Sequence, residues 1–351
     1  MRSPGGPRNQ RTAPGRGPSR ASVVIPTHNR RDILSRVLCF YRAQDAPRDC
    51  FELVVADDGS TDGTPELFEQ LPPAGSGSDL PDPHRGRVLE QRRGLLDPGE
   101  GLPGRPCEPA GNTRPGGVLA VRYLRLRKSG RSAARNAGVL AASHPLIVFA
   151  DDDIFVEPGF ISKHLEAHRS GEDLVVMGRV IHTGSLDDPL SARWKPKDIN
   201  TAFLSTGNAS VRRDLLIAAG LFDERYTVYG WEDFDLGIHL RELGVRSVKR
   251  DIRGYHYDPP RAGVRPREVY RKERERGLSA VYFYRSHPLP WVRRFTLVEN
   301  RPLQALFDLL GRGNWFLSGE GPRRCGGLAL LIIRYKGYFD GVREGMREQG
   351  H

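Results

Sequence analysis

With 351 residues, 38% of them hydrophobic, the chain is long enough for one large or two small domains. No apolar run approaches the roughly 20 residues of a membrane helix, which excludes a transmembrane protein, and the four cysteines lack metal or disulfide-framework spacing. The net charge of +11 divides into +5 within residues 1–20 and +6 within 261–300, a tail and one segment rather than a nucleic-acid footprint.

Residues 1–20, rich in Arg, Pro, Gly and Ser, read as a disordered basic tail. From Ala21 the pattern changes. Ser22-Val-Val-Ile-Pro26 is a β-branched run ended by Pro, the mark of a buried strand. Behind Asn29–Asp32, the spacing of Ile33, Leu34, Val37, Leu38 and Tyr41 predicts a helix. Phe51–Ala56 reads as a second buried strand ending in Asp57-Asp58-Gly59-Ser60, and Thr64-Pro65 opens a short helix to Leu71. This β-α-β-α rhythm predicts an α/β domain with a mostly parallel sheet.

Residues 72–117 break it. Nineteen of these 46 positions are Gly or Pro, so the segment is expected to be a flexible, dispensable insertion. Its Gly99-x-Gly101-x-x-Gly104 matches a dinucleotide fingerprint by letters only, since no strand precedes it and Pro103 and Pro106 oppose the helix. Val118–Leu126 then reads as a strand, Ser132–Ala142 as a helix, and Leu146–Ala150 as a buried strand running into Asp151-Asp152-Asp153. A helix over about 159–168, a strand over Leu174–Gly178, helices over Ser210–Ala219 and Asp233–Leu243, and a strand over Val245–Lys249 follow. Residues 265–351 read as helical and peripheral.

Three acidic clusters carry the candidate chemistry: Asp57-Asp58, Asp151–Asp153, and Glu232-Asp233 with Asp235. The first two follow predicted parallel strands, the edge where open α/β sheets bind ligands. Three consecutive carboxylates repel one another unless a cation sits among them, and hard oxygen ligands suit Mn²⁺ or Mg²⁺ shared with a substrate phosphate. Asp233-Phe-Asp235 repeats the D-x-D spacing, but no buried strand leads into it.

Ser22-Val-Val-Ile-Pro-Thr-His-Asn-Arg30, Val55-Ala-Asp-Asp-Gly-Ser-Thr-Asp-Gly-Thr64, Ala134-Arg-Asn-Ala-Gly138 and Phe149-Ala-Asp-Asp-Asp153 occur in that order. They closely resemble the nucleotide-sugar domain of glycosyltransferase family 2, the inverting GT-A fold. The resemblance covers about 21–260 outside the insertion, and Gly230-Trp-Glu-Asp-Phe-Asp235 is similar to the family's acceptor motif. Ile154 departs from it, standing where an acid often follows D-x-D.

The resemblance implies a Rossmann-like sheet flanked by helices over 21–264, to which the sequence pattern adds a helical extension over 265–351. It also implies a set of roles. Pro26, Thr27 and Asp58 would receive the nucleobase, Arg135 and Asn136 would reach the diphosphate or order the metal site, and Asp151 and Asp152 would face the rest of the donor. Asp151, Asp153 and His256 would hold Mn²⁺ or Mg²⁺. Asp233 would be the general base, with Trp231 and Glu232 facing the acceptor. The partners it implies are a UDP- or GDP-type sugar donor and a sugar or lipid-linked acceptor, not nucleic acid. The expected place is the cytoplasm, with the basic, aromatic 261–300 segment against an anionic membrane. The rival reading is a nucleic-acid or anionic-surface binding protein whose GT-A-like module has no transferase activity.

Overall fold

In this computed structural model, residues 17–74, 87–96, 119–259, 265–312 and 327–348 are described. The chain opens with β1 (Ala21–Thr27), α1 (Arg31–Arg42), β2 (Phe51–Asp57), β3 (Val88–Leu96) and β4 (Leu119–Leu126). Then come α2 (Arg131–Ala141), β5 (Leu146–Phe149), β6 (Ile154–Val156), α3 (Phe160–Ala167), β7 (Leu174–Thr183), β8 (Ala209–Arg212) and α4 (Arg213–Ala218). Helix α5 (Glu232–Glu242) and β9 (Arg246–Tyr257) complete the sheet region, and α6 (Pro266–Ser286), α7 (Pro290–Thr296), α8 (Arg301–Leu310) and α9 (Gly327–Glu348) follow.

All nine strands form one sheet in the order β3-β4-β2-β1-β5-β8-β7-β9-β6. Strands β1, β2, β4, β5, β7 and β9 share one direction, so the sheet is mostly parallel as expected, and β3, β6 and β8 oppose them. Both faces are covered, which is why β1 and β2 read as continuous apolar runs rather than alternating ones. Val23, Ile25, Leu53 and Val55 face the layer of α1 and α3, whereas Val24, Val54 and Ala56 face α2 and α5.

The structure departs from the sequence expectations in three places. Residues 88–96, inside the supposed unpacked insertion, form β3, antiparallel to β4. Val88-Leu-Glu-Gln-Arg-Arg-Gly-Leu-Leu96 has no proline and one glycine, a local pattern hidden by the composition of its flanks. The rest of that insertion, including Gly99–Gly104, lies outside the described residues apart from 72–74 and 87. Second, Ser210–Ala219 is not one helix. Ala209–Arg212 pair with both β5 and β7, and only Arg213–Ala218 turn into a helix. Third, the strand expected over Val245–Lys249 runs from Arg246 to Tyr257, which carries His256 into the sheet.

The C-terminal region is helical, and α9 lies along α6. A Cβ on Gly341 would overlap the Arg274 carbonyl oxygen, and one on Gly277 would overlap that of Tyr338. Glycine here permits close backbone approach, with Tyr338, Phe339 and Val342 buried alongside. Gly341→Ala therefore has a diagnostic sign. Alanine would stabilise a free helix by about 1 kcal/mol, but here it should destabilise by about 1–3 kcal/mol through overpacking. Thermal scanning should show a midpoint several degrees below wild type, and a raised midpoint would refute the close contact.

Candidate active site

Because β1, β2 and β5 are parallel neighbours, their carboxyl ends meet at one edge of the sheet. The ladder between β1 and β5 stops at Val24, so Pro26 falls where β2 alone continues, opposite Ala56. Thr27 sits opposite Asp57. Asp57 is fully buried and accepts the Ser60 N–H (2.8 Å) and the Tyr123 hydroxyl (2.6 Å). Asp58 clasps the turn before α2, accepting the backbone N–H groups of Ser129 (2.6 Å) and Gly130 (3.1 Å).

The acid triplet follows β5. The Thr27 hydroxyl donates to Asp152 Oδ2 (2.7 Å), and Arg135 Nη2 donates to Asp151 Oδ1 (3.1 Å). Arg30 Nη1 donates to Asp153 Oδ2 (3.0 Å). Register delivers the remaining partner: His256 on β9 lies opposite Ile154 on β6 and His182 on β7. Its Nε2 stands 3.5 Å from Asp153 Oδ1, a buried oxygen with no hydrogen-bond partner among the described residues. His182, His256 and Asp258 also converge closely enough to share an ion. Carboxylate oxygens, one of them unpartnered, beside an imidazole form a donor set that fits a divalent cation.

The electrostatics of the three acids diverge. Burial alone would raise Asp151, but Arg135 and Arg131 outweigh it and hold the carboxyl below its ordinary value. Burial and the adjacent Asp153 push Asp152 up to about 7. Asp153 is also raised, by burial first, against the pull of His256 and Arg30.

Opposite this edge, α5 is capped by Trp231, which holds a left-handed φ of 73° after Gly230 at 110°. That turn aims Glu232 and Asp233 at the triplet. Arg135, 4% exposed, bridges the two sides: its Nη1 donates to Glu232 Oε1 at 3.2 Å and stands 4.0 Å from Asp233. Asp233 accepts the Thr206 N–H (2.9 Å) and hydroxyl (3.1 Å). Burial raises its pKa to about 6, with Arg135 opposing and Glu232 adding to the rise.

Besides Thr27 and Asp58, whose contacts are given above, two further expected ligand-facing residues are engaged within the protein. The Asn136 amide donates to the Phe222 carbonyl (2.8 Å) and Glu224 (3.0 Å) and accepts the Phe222 N–H (2.9 Å), clamping the 222–224 loop. Trp231 donates its indole N–H to the Arg276 carbonyl (2.9 Å) and stacks on Phe283 at 5.3 Å, so it packs α5 against the C-terminal helices. Sequence reasoning also missed contributors. Arg30 lay within a quoted motif, but Thr206 and His182 carried no signal. Neither did Tyr229, whose ring lies beneath both Arg131 (5.1 Å) and Lys272 (4.5 Å).

A mostly parallel α/β sheet, with an acid triplet at its carboxyl edge and a second acidic pair facing it, is a GT-A arrangement. The sequence profile of Glycosyl transferase family 2 matches residues 22–97 and 118–219, more than half of the chain. The chain belongs to that family. The uncharacterized glycosyltransferase YfnE of Bacillus subtilis is 24% identical over 301 residues, 69% of this chain and 65% of that protein. The validoxylamine A glucosyltransferase of Streptomyces hygroscopicus subsp. jinggangensis is 25% identical over 324 residues, 80% of this chain and 64% of that one. Thus the chain spans at most 65% of the length of the curated relatives it matches. Among solved structures, mannosyltransferase PcManGT from Pyrobaculum calidifontis, in complex with GDP-Man and Mn2+, aligns with a TM-score of 0.48 and 16% identity, covering 96% of this chain and 76% of that one. No helix among the described residues is long and apolar enough to cross a membrane.

Proposed function

We propose that this chain transfers a sugar from a UDP- or GDP-type donor to a hydroxyl acceptor, with inversion at the anomeric carbon. The observation that carries this reading is the Arg135 bridge, which faces the acids after β5 towards the acids that open α5. In this reading residues 21–264 form the catalytic domain and 265–351 an extension packed against it.

The residues divide the work. Pro26, Thr27 and Asp58 form the floor for the nucleobase, and Asp151 and Asp152 face the rest of the donor. Arg135 orients Asp151 and Glu232, and Asn136 fixes the loop behind it. Asp151, Asp153 and His256 would hold Mn²⁺ or Mg²⁺, which when bound supplies positive charge against a departing diphosphate. On the acceptor side, Glu232 positions the hydroxyl and Asp233 takes its proton. The acceptor oxygen bonds to the anomeric carbon as the bond to the diphosphate oxygen breaks on the opposite face, and the electron pair leaves with the diphosphate.

Incubation with a panel of nucleotide sugars plus Mn²⁺ should reveal slow hydrolysis of one donor class. Asp153→Ala should abolish Mn²⁺-dependent donor binding by calorimetry while leaving a cooperative thermal transition. Full activity in excess chelator would remove the cation from this reading. A folded protein that hydrolyses and binds no donor would favour the surface-binding alternative.

We also propose contact with an anionic membrane at the cytoplasmic face, centred on the exposed aromatic residues of α7. Three α6 basic residues are otherwise occupied: Arg274 pairs with Glu344, Arg276 with Glu273 over the Tyr338 ring, and Lys272 lies over Tyr229, while Arg271 is exposed. Helix α7 exposes Trp291 (42%) and Phe295 (51%) beside exposed Arg294, with Arg293 paired to Glu299. Aromatic and basic side chains together suit a negatively charged interface. Wild type should sediment with anionic but not neutral liposomes, and Trp291→Ser with Arg294→Ser should abolish it. Equal recovery with both lipids would exclude this docking.

A further inference from the structure

Outside the candidate active site, α5 and the end of α6 bring together Asp235, His239 and His287, whose ligand atoms all lie within 4.8 Å of one another. Asp235 and His239 stand one turn apart on one face of α5, and His287 directly follows the last residue of α6. Asp235 is only 2% exposed. Both of its hydrogen-bond donors, the Tyr226 hydroxyl (3.1 Å) and His287 Nε2 (2.7 Å), converge on Oδ1. Oδ2 is left buried with no partner among the described residues, and His239 Nδ1 stands 4.0 Å from it.

That separation is too long for a hydrogen bond. A buried carboxylate oxygen without a donor is also uncommon in a folded protein. A cation between Oδ2 and the two imidazoles resolves both. One carboxylate with two histidines is a zinc donor set, and zinc is tetrahedral with room for a fourth ligand. The cleft beside these residues is also lined by Asp223, Tyr282 and Ser286 and by two arginines, Arg225 and Arg285, and the fourth position would be filled by water from it. Asp223 is itself committed to Tyr282 (2.6 Å) and Arg225 (2.9 Å) and so does not compete for the ion.

We propose that Asp235, His239 and His287 bind a zinc ion that staples the C-terminal extension to the helix opened by Glu232 and Asp233. His287 would then carry its proton on Nδ1 and turn the Nε2 lone pair from Oδ1 to the metal. The Tyr226 hydroxyl would keep its hydrogen bond to Oδ1 and hold the carboxylate in orientation, as outer partners of metal ligands do. This site is separate from Asp151 and Asp153, and it stands whether or not the chain transfers sugars.

The test uses the full chain, purified without a polyhistidine tag, stripped with chelator and reloaded with Zn²⁺ or Co²⁺. One equivalent of zinc should be retained against a weak chelator, the thermal midpoint should rise, and Co²⁺ should give the visible absorption of a tetrahedral site. His239→Ala changes a partly exposed residue and should fold. It should weaken zinc binding by more than the roughly 10- to 100-fold that outer-partner changes cost, as should His287→Ala. Asp153→Ala and His182→Ala should keep the equivalent. Absence of tight zinc in wild type would overturn the proposal. Retention by both His239→Ala and His287→Ala, or loss in His182→Ala alone, would overturn it as well.

Discussion

Asp233→Asn should lower turnover by a factor of about 10² or more, the range for a missing general base, while donor affinity stays near wild type. The substitution is close to isosteric in its surroundings. An asparagine Oδ1 can still accept the Thr206 N–H, and its Nδ2 can donate to the Thr206 hydroxyl that now donates to Asp233. Proton acceptance is lost, together with one negative charge beside Arg135. The protonation state sets the accompanying pH profile. Burial holds the Asp233 pKa at about 6, opposed by Arg135 and reinforced by Glu232, so the carboxylate is ionised at pH 7 and takes up a proton as pH falls. Wild-type turnover should therefore decline on an acid limb centred near pH 6. Glu232→Gln removes a negative neighbour, lowers the Asp233 pKa and should move that limb to lower pH. Calorimetry with the donor nucleotide is the control: loss of nucleotide binding in Asp233→Asn would move the residue out of the base role.

What the sequence revealed follows from which forces are local. Strands β1, β2 and β5 announce themselves because both faces are buried and their residues are nearly all apolar or β-branched. Strand β9 is legible only in part. Arg246, Arg250, Asp251 and Arg253 are exposed on it, so its pattern past Lys249 does not look like a buried strand, and His256 enters the sheet through register alone. Strand β3 was masked by glycine and proline on both sides. Among the site residues, the acid triplet is legible because three adjacent carboxylates after an apolar run need a chemical reason. The partners that complete the site come from far along the chain: Glu232 lies 97 residues from Arg135, and no periodicity encodes that contact. Asn136 and Trp231 show the converse, motif positions whose side chains are engaged in packing. The glycines of α9, which would weaken a helix alone, mark where α6 comes close enough that a side chain would not fit.

Arg135 should prove the most costly residue in the site to remove. Its guanidinium is 4% exposed, lies over the Phe222 ring at 5.6 Å, and reaches Asp151 at 3.1 Å and Glu232 at 3.2 Å. Burial would by itself weaken its charge, yet the surrounding Asp233, Asp151 and Glu232 raise its pKa further above the ordinary value. Taking away one partner of a buried ion network leaves uncompensated charge, so Arg135→Met should cost about 3–5 kcal/mol. At roughly 2–4 °C per kcal/mol for a domain of 150–250 residues, the thermal midpoint should fall by about ten degrees. Lysine keeps the charge but not the two-pronged reach. Arg135→Lys should therefore recover part of the stability while turnover stays low, because Asp151 and Glu232 are no longer held by one group. The pH dependence separates electrostatics from packing. In wild type the Asp151 pKa is depressed, so its stabilising contribution is present above the ordinary value of 3.8 and fades as pH falls below it. In Arg135→Met the same carboxyls have lost their cation, and their pKa values should rise. The folded variant then binds more protons than its unfolded chain, and its stability should increase as pH drops from 8 towards 5. The gap between wild type and variant is consequently widest in mild alkali and narrows in acid, whereas a purely steric defect would be the same at every pH. Saturating Mn²⁺ should recover part of the loss at pH 8 by supplying positive charge beside Asp151. An Arg135→Met protein as stable as wild type at pH 8 would mean that the three acids tolerate one another unaided.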